Sequence, residues 1–260
     1  MSVMQINGVR MNYIDEGTGA GIIFVHGLGE SALSWRNQTD YFKAKYRVIA
    51  MDLRGHGASR GGEAEITMEQ FAADIIALLD ALMIDKAHFV GLSMGGLVCQ
   101  ELTRTAQERM LSLSLCNTAA FVGGGAAGKL PERLEMIERI SMDAMADFIV
   151  RACMPYDFAQ SVYDEAFNIF RQNRKEPYKL ATTATFSVDF RDCLKSVRVP
   201  TCVVVGERDQ STPVSAAQFI NENIKGSKLE ILPGVGHLSK LENPQLFNST
   251  IERFLNNIIV

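Results

Sequence analysis

The chain has 260 residues, 47% of them hydrophobic, enough to bury a sizeable core as one domain carrying an insertion. Its net charge of −4 comes from 26 basic and 30 acidic residues mixed along the chain, which argues against nucleic acid and leaves small molecules as the expected partners. Cys99, Cys116, Cys153, Cys193 and Cys202 are odd in number and lack any Cys-x-x-Cys pair, so they read as reduced, mostly buried thiols with no zinc or redox role.

The opening stretch MSVMQINGVRMNYIDEG lacks a basic leader followed by an apolar run. Nowhere does the sequence approach the ~18 consecutive apolar residues of a membrane span, so a cytoplasmic protein with no membrane partner is expected. Residues 3–6 and 9–14 flank Asn7-Gly8, a dipeptide that accepts the positive φ angles of a tight hairpin, which predicts antiparallel strands at a sheet edge. The runs GIIFV (21–25), RVIAM (47–51), AHFVGL (87–92) and MLSLSLC (110–116) show no alternation, as parallel strands covered on both faces do. Helical segments separate them at 34–43, 68–82 and 94–105; in the second, Phe71, Ile75, Leu78, Leu79 and Leu82 share one face. Alternating strand and helix predict an α/β class, a mostly parallel sheet with helices on both faces.

From 119 to 195 the strand signal gives way to FVGGGAAG and then to helical patches such as PERLEMIERI, DAMADFIVRACM and YDEAFNIFRQN. This predicts a helical lid over 119–195 inserted into a core made of 1–118 and 196–260, with the glycine-rich stretch 123–128 as a hinge. TCVVVG (201–206), a helix near 214–223, KLEIL (228–232) and a helix near 243–257 then complete an eight-stranded sheet.

The chemistry gathers at strand ends. Gly91-Leu92-Ser93-Met94-Gly95 is a Gly-x-Ser-x-Gly sequence placed where a strand ends and a helix begins, a sharp turn that presents the serine as a nucleophile. The N–H of Met94 opens that helix without an intrahelical partner and can meet an oxygen acquiring negative charge. The glycine-rich turn His26-Gly27-Leu28-Gly29 offers Leu28 N–H as the second donor of such an oxyanion hole. His237, in LPGVGHLSKLENP after KLEIL, is the only histidine beyond residue 88 and the candidate general base; its loop reads as too rich in small residues to bury it. Asp209, in VVVGERDQSTP, is the candidate acid, with Glu207 as competitor; the loop after MLSLSLC holds only Asn117, which has no carboxylate. His26, His56 and His88 read as structural and suggest no metal site, and Trp35 reads as either packing or a pocket wall.

Taken in order, FVHGLG, DLRGHGAS, GLSMGG, VVVGERDQSTP and GVGHLSKLENP resemble the α/β-hydrolase family over essentially the whole chain. GLSMGG followed by LCNTAA, with RVPTCVVVGERDQSTP and HLSKLENP, is most similar to the 3-oxoadipate enol-lactonase group and its carboxylesterase relatives. The resemblance implies the α/β-hydrolase fold, a lid over the carboxyl edge of the sheet, and cleavage of a small ester or lactone with no metal or organic cofactor. Where the substrate carries a carboxylate, as in that lactonase group, a lid arginine is expected to pair with it, from among Arg133, Arg139, Arg151, Arg171 and Arg174. Two alternatives stay open: hydrolysis of a carbon–carbon bond, as by meta-cleavage-product hydrolases, and a ligand-binding member of the fold with little turnover.

Overall fold

The computed structural model describes residues 1–64, 66–123, 128–154 and 156–258. Eight strands form one sheet in the order β1-β2-β4-β3-β5-β6-β7-β8. The hairpin β1 (Ser2–Ile6) and β2 (Val9–Glu16) lies at one edge, turned through Asn7 and Gly8 at φ 48° and 77°, as that dipeptide predicts. β2 also runs antiparallel to β4 (Arg47–Met51), and every remaining pairing is parallel.

The continuous apolar runs have a direct cause in β3 (Gly21–Val25). Ile23 and Val25 enter one core beneath the sheet, whereas Ile22 and Phe24 enter a second core on the opposite face. With helices covering both faces, neither side of the strand tolerates a polar residue. The first core packs α2 (Met68–Ala81) and α3 (Met94–Thr105) against the sheet; Thr67 starts α2 by accepting from Gln70 N–H, and Phe71, Ile75, Leu78 and Leu79 form its buried stripe. The second core holds α1 (Arg36–Phe42), which follows a 3₁₀ turn at Ala32–Trp35. Trp35 is fully buried there, its ring 4.8 Å from Phe24, so packing is the reading of this residue that holds.

Between β6 (Met110–Cys116) and β7 (Thr201–Gly206) stand α4 (Leu130–Arg139), α5 (Met142–Cys153), α6 (Gln160–Phe170) and α7 (Lys175–Phe186). Their apolar faces share a third cluster, which includes Ile137, Met145, Val150, Phe170 and Tyr178 and closes on Leu238 and Leu241 of the core. Of the glycine-rich segment expected as a hinge, residues 124–127 lie outside the described residues. The chain ends with α8 (Val214–Asn223), β8 (Lys228–Leu232), α9 (Ser239–Glu242) and α10 (Pro244–Leu255), the last capped by Asn243 with Pro244 at its first turn. The four-residue α9 is an addition to the predicted elements. Among the described residues no helix is long and apolar enough to cross a membrane, and the five cysteines are free and buried.

Candidate active site

The turn between β5 (Ala87–Leu92) and α3 puts Ser93 at φ 54°, ψ −119°, a conformation that an L-residue adopts only when its surroundings impose it. The flanking glycines are what allow it. A Cβ on Gly91 would overlap the Gly95 carbonyl and the Cys99 sulfur, and one on Gly95 would overlap the carbonyls of Val25 and His26. The strained turn is held from the neighbouring strand, because Ser93 N–H donates to Cys116 O (3.0 Å) and Thr118 Oγ1 donates to Ser93 O (2.8 Å).

Loops at the carboxyl ends of β5, β6, β7 and β8 then converge. His237 Nε2 lies 3.1 Å from Ser93 Oγ and Nδ1 lies 2.9 Å from Asp209 Oδ2. The carboxylate side of the ring requires Nδ1–H, which leaves the Nε2 lone pair facing the serine hydroxyl. Asp209 Oδ1 accepts from the N–H groups of Ser211 (2.8 Å) and Thr212 (2.9 Å), and Oδ2 accepts from Thr212 Oγ1 (2.7 Å) and Asn117 Nδ2 (2.9 Å). Burial works to raise the Asp209 pKa, but the charge and hydrogen bond of His237, with the Asn117 and Thr212 donors, hold it below the usual carboxylate range. For His237 burial works downward and is outweighed by the charge and hydrogen bond of Asp209, so its pKa stands above 6.5.

The sequence-predicted residues thus meet, with two corrections. First, the small-residue loop does bury its histidine: His237 is 6% exposed. The absence of large side chains lets the lid approach closely, so that Tyr156 packs on Gly236 and Cys153 O accepts from His237 N–H (3.4 Å). Glu242 holds the same loop by accepting from Gly236 N–H (2.9 Å), Leu238 N–H (3.0 Å) and the Tyr156 hydroxyl. Second, Asn117 is more than a place without a carboxylate. At φ 44° and fully buried, it binds Asp209, donates to Gly236 O (3.0 Å) and accepts from Ser239 Oγ (2.6 Å), joining three loops. Its place immediately after β6, beside β7 in the sheet, is the signal that could have found it; Thr212 carried none. Glu207, the competing acid, is exposed and accepts from Gly234 N–H (2.9 Å) on the surface.

Gly27 O accepts from Glu30 N–H (3.1 Å) and from His26 Nδ1 (2.7 Å), while His26 Nε2 accepts from Leu53 N–H (3.0 Å). A planar trans peptide directs its N–H opposite to its carbonyl, so this anchoring turns Leu28 N–H the other way. Among the described residues neither Leu28 N–H nor Met94 N–H has a protein acceptor, and both residues line the cavity that contains Ser93 and His237. Burial pushes His26 and His88 down to about 4 and His56 to about 3, so all three are neutral imidazoles with structural hydrogen bonds. Among the described residues no group of three or more His, Cys, Asp or Glu is placed to hold a metal ion.

The cavity measures about 550 Å³ and is walled by Phe121, Ile149, Phe170, Tyr178 and Phe186 of the segment 119–195 together with Phe219. Of the five candidate arginines named above, Arg139 pairs with Glu135 (3.1 Å), Arg151 with Asp147 (2.8 Å), Arg171 with Asp143 (2.8 Å) and Arg174 with Glu63 (2.6 Å). Arg133 differs. It lines the cavity with its guanidinium 5.3 Å from the Phe186 ring, and among the described residues no carboxylate pairs with it.

The sequence profile described as alpha/beta hydrolase fold matches residues 22–244. The chain is 33% identical to 3-oxoadipate enol-lactonase 2 of Acinetobacter baylyi over 94% of its own length and 92% of that protein. Its structure is similar to the enol-lactonase from Burkholderia xenovorans (27% identity, TM-score 0.93, covering 98% of this chain and 100% of that one). It is also similar to a thermophilic esterase from Thermogutta terrifontis (25% identity, TM-score 0.93, both chains covered completely). A profile match over that span, on an eight-stranded sheet interrupted by four helices, makes the chain a member of the α/β-hydrolase fold family.

Proposed function

We propose that the protein is a serine hydrolase that cleaves a small carboxylic ester or lactone through an acyl-enzyme. The observation that carries this reading is the hydrogen-bonded chain from Ser93 through His237 to Asp209, opening into a cavity beside two uncovered backbone N–H groups. Ser93 Oγ attacks the carbonyl carbon as Nε2 of His237 takes its proton, and Asp209 stabilises the imidazolium that forms. Leu28 and Met94 N–H receive the oxyanion; one such donor contributes about 3–4 kcal/mol. As the tetrahedral intermediate collapses, the imidazolium returns the proton to the leaving oxygen, and water then repeats the attack with His237 as base. A lactone follows the same course, its leaving oxygen remaining tethered to the acyl group.

Arg133 supports a substrate with an anionic group, because a guanidinium that pairs with no carboxylate among the described residues and lies against aromatic walls gains most from a carboxylate brought by the ligand. The names of the enol-lactonase relatives agree with such a substrate. Arg133→Met is expected to raise KM for a carboxylated ester or lactone by roughly 10- to 100-fold, the worth of one charge-assisted contact. An uncharged ester of equal size should change less than about threefold, and equal effects on both substrates would remove Arg133 from recognition.

The base must be neutral to accept the serine proton, so activity is present above the His237 pKa and is lost as pH falls through it. Because Asp209 raises that pKa, the half-point of kcat/KM is expected above 6.5. A profile flat from about pH 5 to 8 would contradict the assigned base. The direct test of the proposal is labelling with a fluorophosphonate followed by peptide mapping: rapid modification at Ser93 supports it, and an inert protein overturns it. A screen of short-chain esters against lactones then identifies the bond cleaved.

A further inference from the structure

A pair of opposite charges lies sealed beside the site, and the hydrolytic chemistry leaves it unused. Glu30 is 2% exposed and Lys240 is fully buried, with Nζ 2.8 Å from Glu30 Oε1. Lys240 Nζ also donates to Ser34 O (3.1 Å) and lies 4.7 Å from the Trp35 ring. The other glutamate oxygen, Oε2, accepts from Gly27 N–H (2.8 Å). Glu30 stands two positions after Leu28, and Lys240 three positions after His237. The pair therefore joins the turn that offers Leu28 N–H to the segment that carries the base.

Burying two charges is expensive, and an apolar pair of similar volume would serve stability as well or better. What the ion pair supplies is direction. Glu30 Oε2 fixes the peptide before Gly27, while Glu30 N–H and His26 fix the carbonyl after it. The two peptide planes that meet at Gly27, a residue with no side chain to restrain it, are thus both held by Glu30, with His26 added on the second, and Leu28 N–H takes its orientation from them. Glu30 also faces the cavity, where an unneutralised carboxylate would oppose an oxyanion. Lys240 cancels that charge.

We propose that Glu30 and Lys240 are positioning residues: their buried pair clamps the Gly27 amide so that Leu28 N–H meets the oxyanion, in register with His237. This rests on the serine-hydrolase reading, and the test separates the two. In the full chain, Glu30→Met/Lys240→Met replaces the pair by apolar side chains, a change expected to keep the fold, and Glu30→Gln/Lys240→Met returns an acceptor for Gly27 N–H. Each is compared with wild type by thermal melting, by kcat and KM on a p-nitrophenyl ester, and by affinity for a trifluoromethyl ketone, whose adduct carries an oxyanion.

The double-methionine variant is expected to melt within a few degrees of wild type. Its kcat should fall about 100-fold with KM nearly unchanged, and the ketone should weaken by a similar factor. The glutamine variant should recover at least tenfold of both. Unchanged kcat and ketone affinity in a folded double-methionine variant would overturn the proposal, as would equal losses in both variants. Should the double-methionine variant not fold, the glutamine variant decides alone: kcat within tenfold of wild type supports the clamp, and a 100-fold loss overturns it. A wild-type protein inert to fluorophosphonate would instead remove the serine-hydrolase reading itself.

Discussion

Ser93→Ala is expected to lower kcat by about a millionfold while the protein melts as the wild type does. The size of the loss follows from the geometry: without Oγ, His237 Nε2 faces a methyl group, and neither the attack nor the acyl-enzyme can form. Alanine keeps the backbone of the turn, and Ser93 contributes its N–H and carbonyl to the bonds with Cys116 and Thr118 whichever side chain it carries. The measurement is ester hydrolysis by purified variant and wild type, with circular dichroism for the fold. Hydrolysis by the variant within tenfold of wild type would place the nucleophile elsewhere.

Asp209→Asn is the second large effect, about 10⁴-fold in kcat. Two backbone donors, Ser211 and Thr212 N–H, point at the Oδ1 position, so the asparagine oxygen settles there and its NH₂ takes the Oδ2 position against His237 Nδ1. Nδ1 must then accept, the ring proton moves to Nε2, and the nitrogen beside Ser93 can no longer take a proton. The Asn117 amide and the Thr212 hydroxyl, both donating to Oδ2 in the wild type, lose their acceptor as well. Glu207→Gln is the control: among the described residues the Glu207 side chain hydrogen-bonds to Gly234 N–H alone, at the surface, and the change should leave kcat within about twofold. The reverse ranking of the two variants would make Glu207 the acid.

The central strands were legible because both faces of the sheet are covered there, which makes them mostly apolar runs such as GIIFV, whereas the edge hairpin was legible from its Asn7-Gly8 turn. Ser93, Asp209 and His237 were legible because each follows a strand of that sheet in a recognisable local phrase. The parts that escaped notice depend on distance along the chain. Asn117 and Asp209 are separated by 92 positions, and Glu30 and Lys240 by 210, so no spacing announces either contact. The burial of His237 likewise comes from Tyr156 and Cys153, which a reading of its own loop cannot supply. Among the lid arginines, the four-residue spacing of Glu135 to Arg139 and of Asp147 to Arg151 was a usable signal for setting those two aside. That Arg133 faces inward emerges only when the helices are packed.

The four lid helices enter between β6 and β7, the strands whose ends carry Asn117 and Asp209. On the proposed reading, bond breaking and molecular choice fall to separate stretches of polypeptide that meet at the cavity wall. Such an arrangement lets the wall be rewritten, by exchange of α4 or α7 for instance, while the machinery under it is inherited intact.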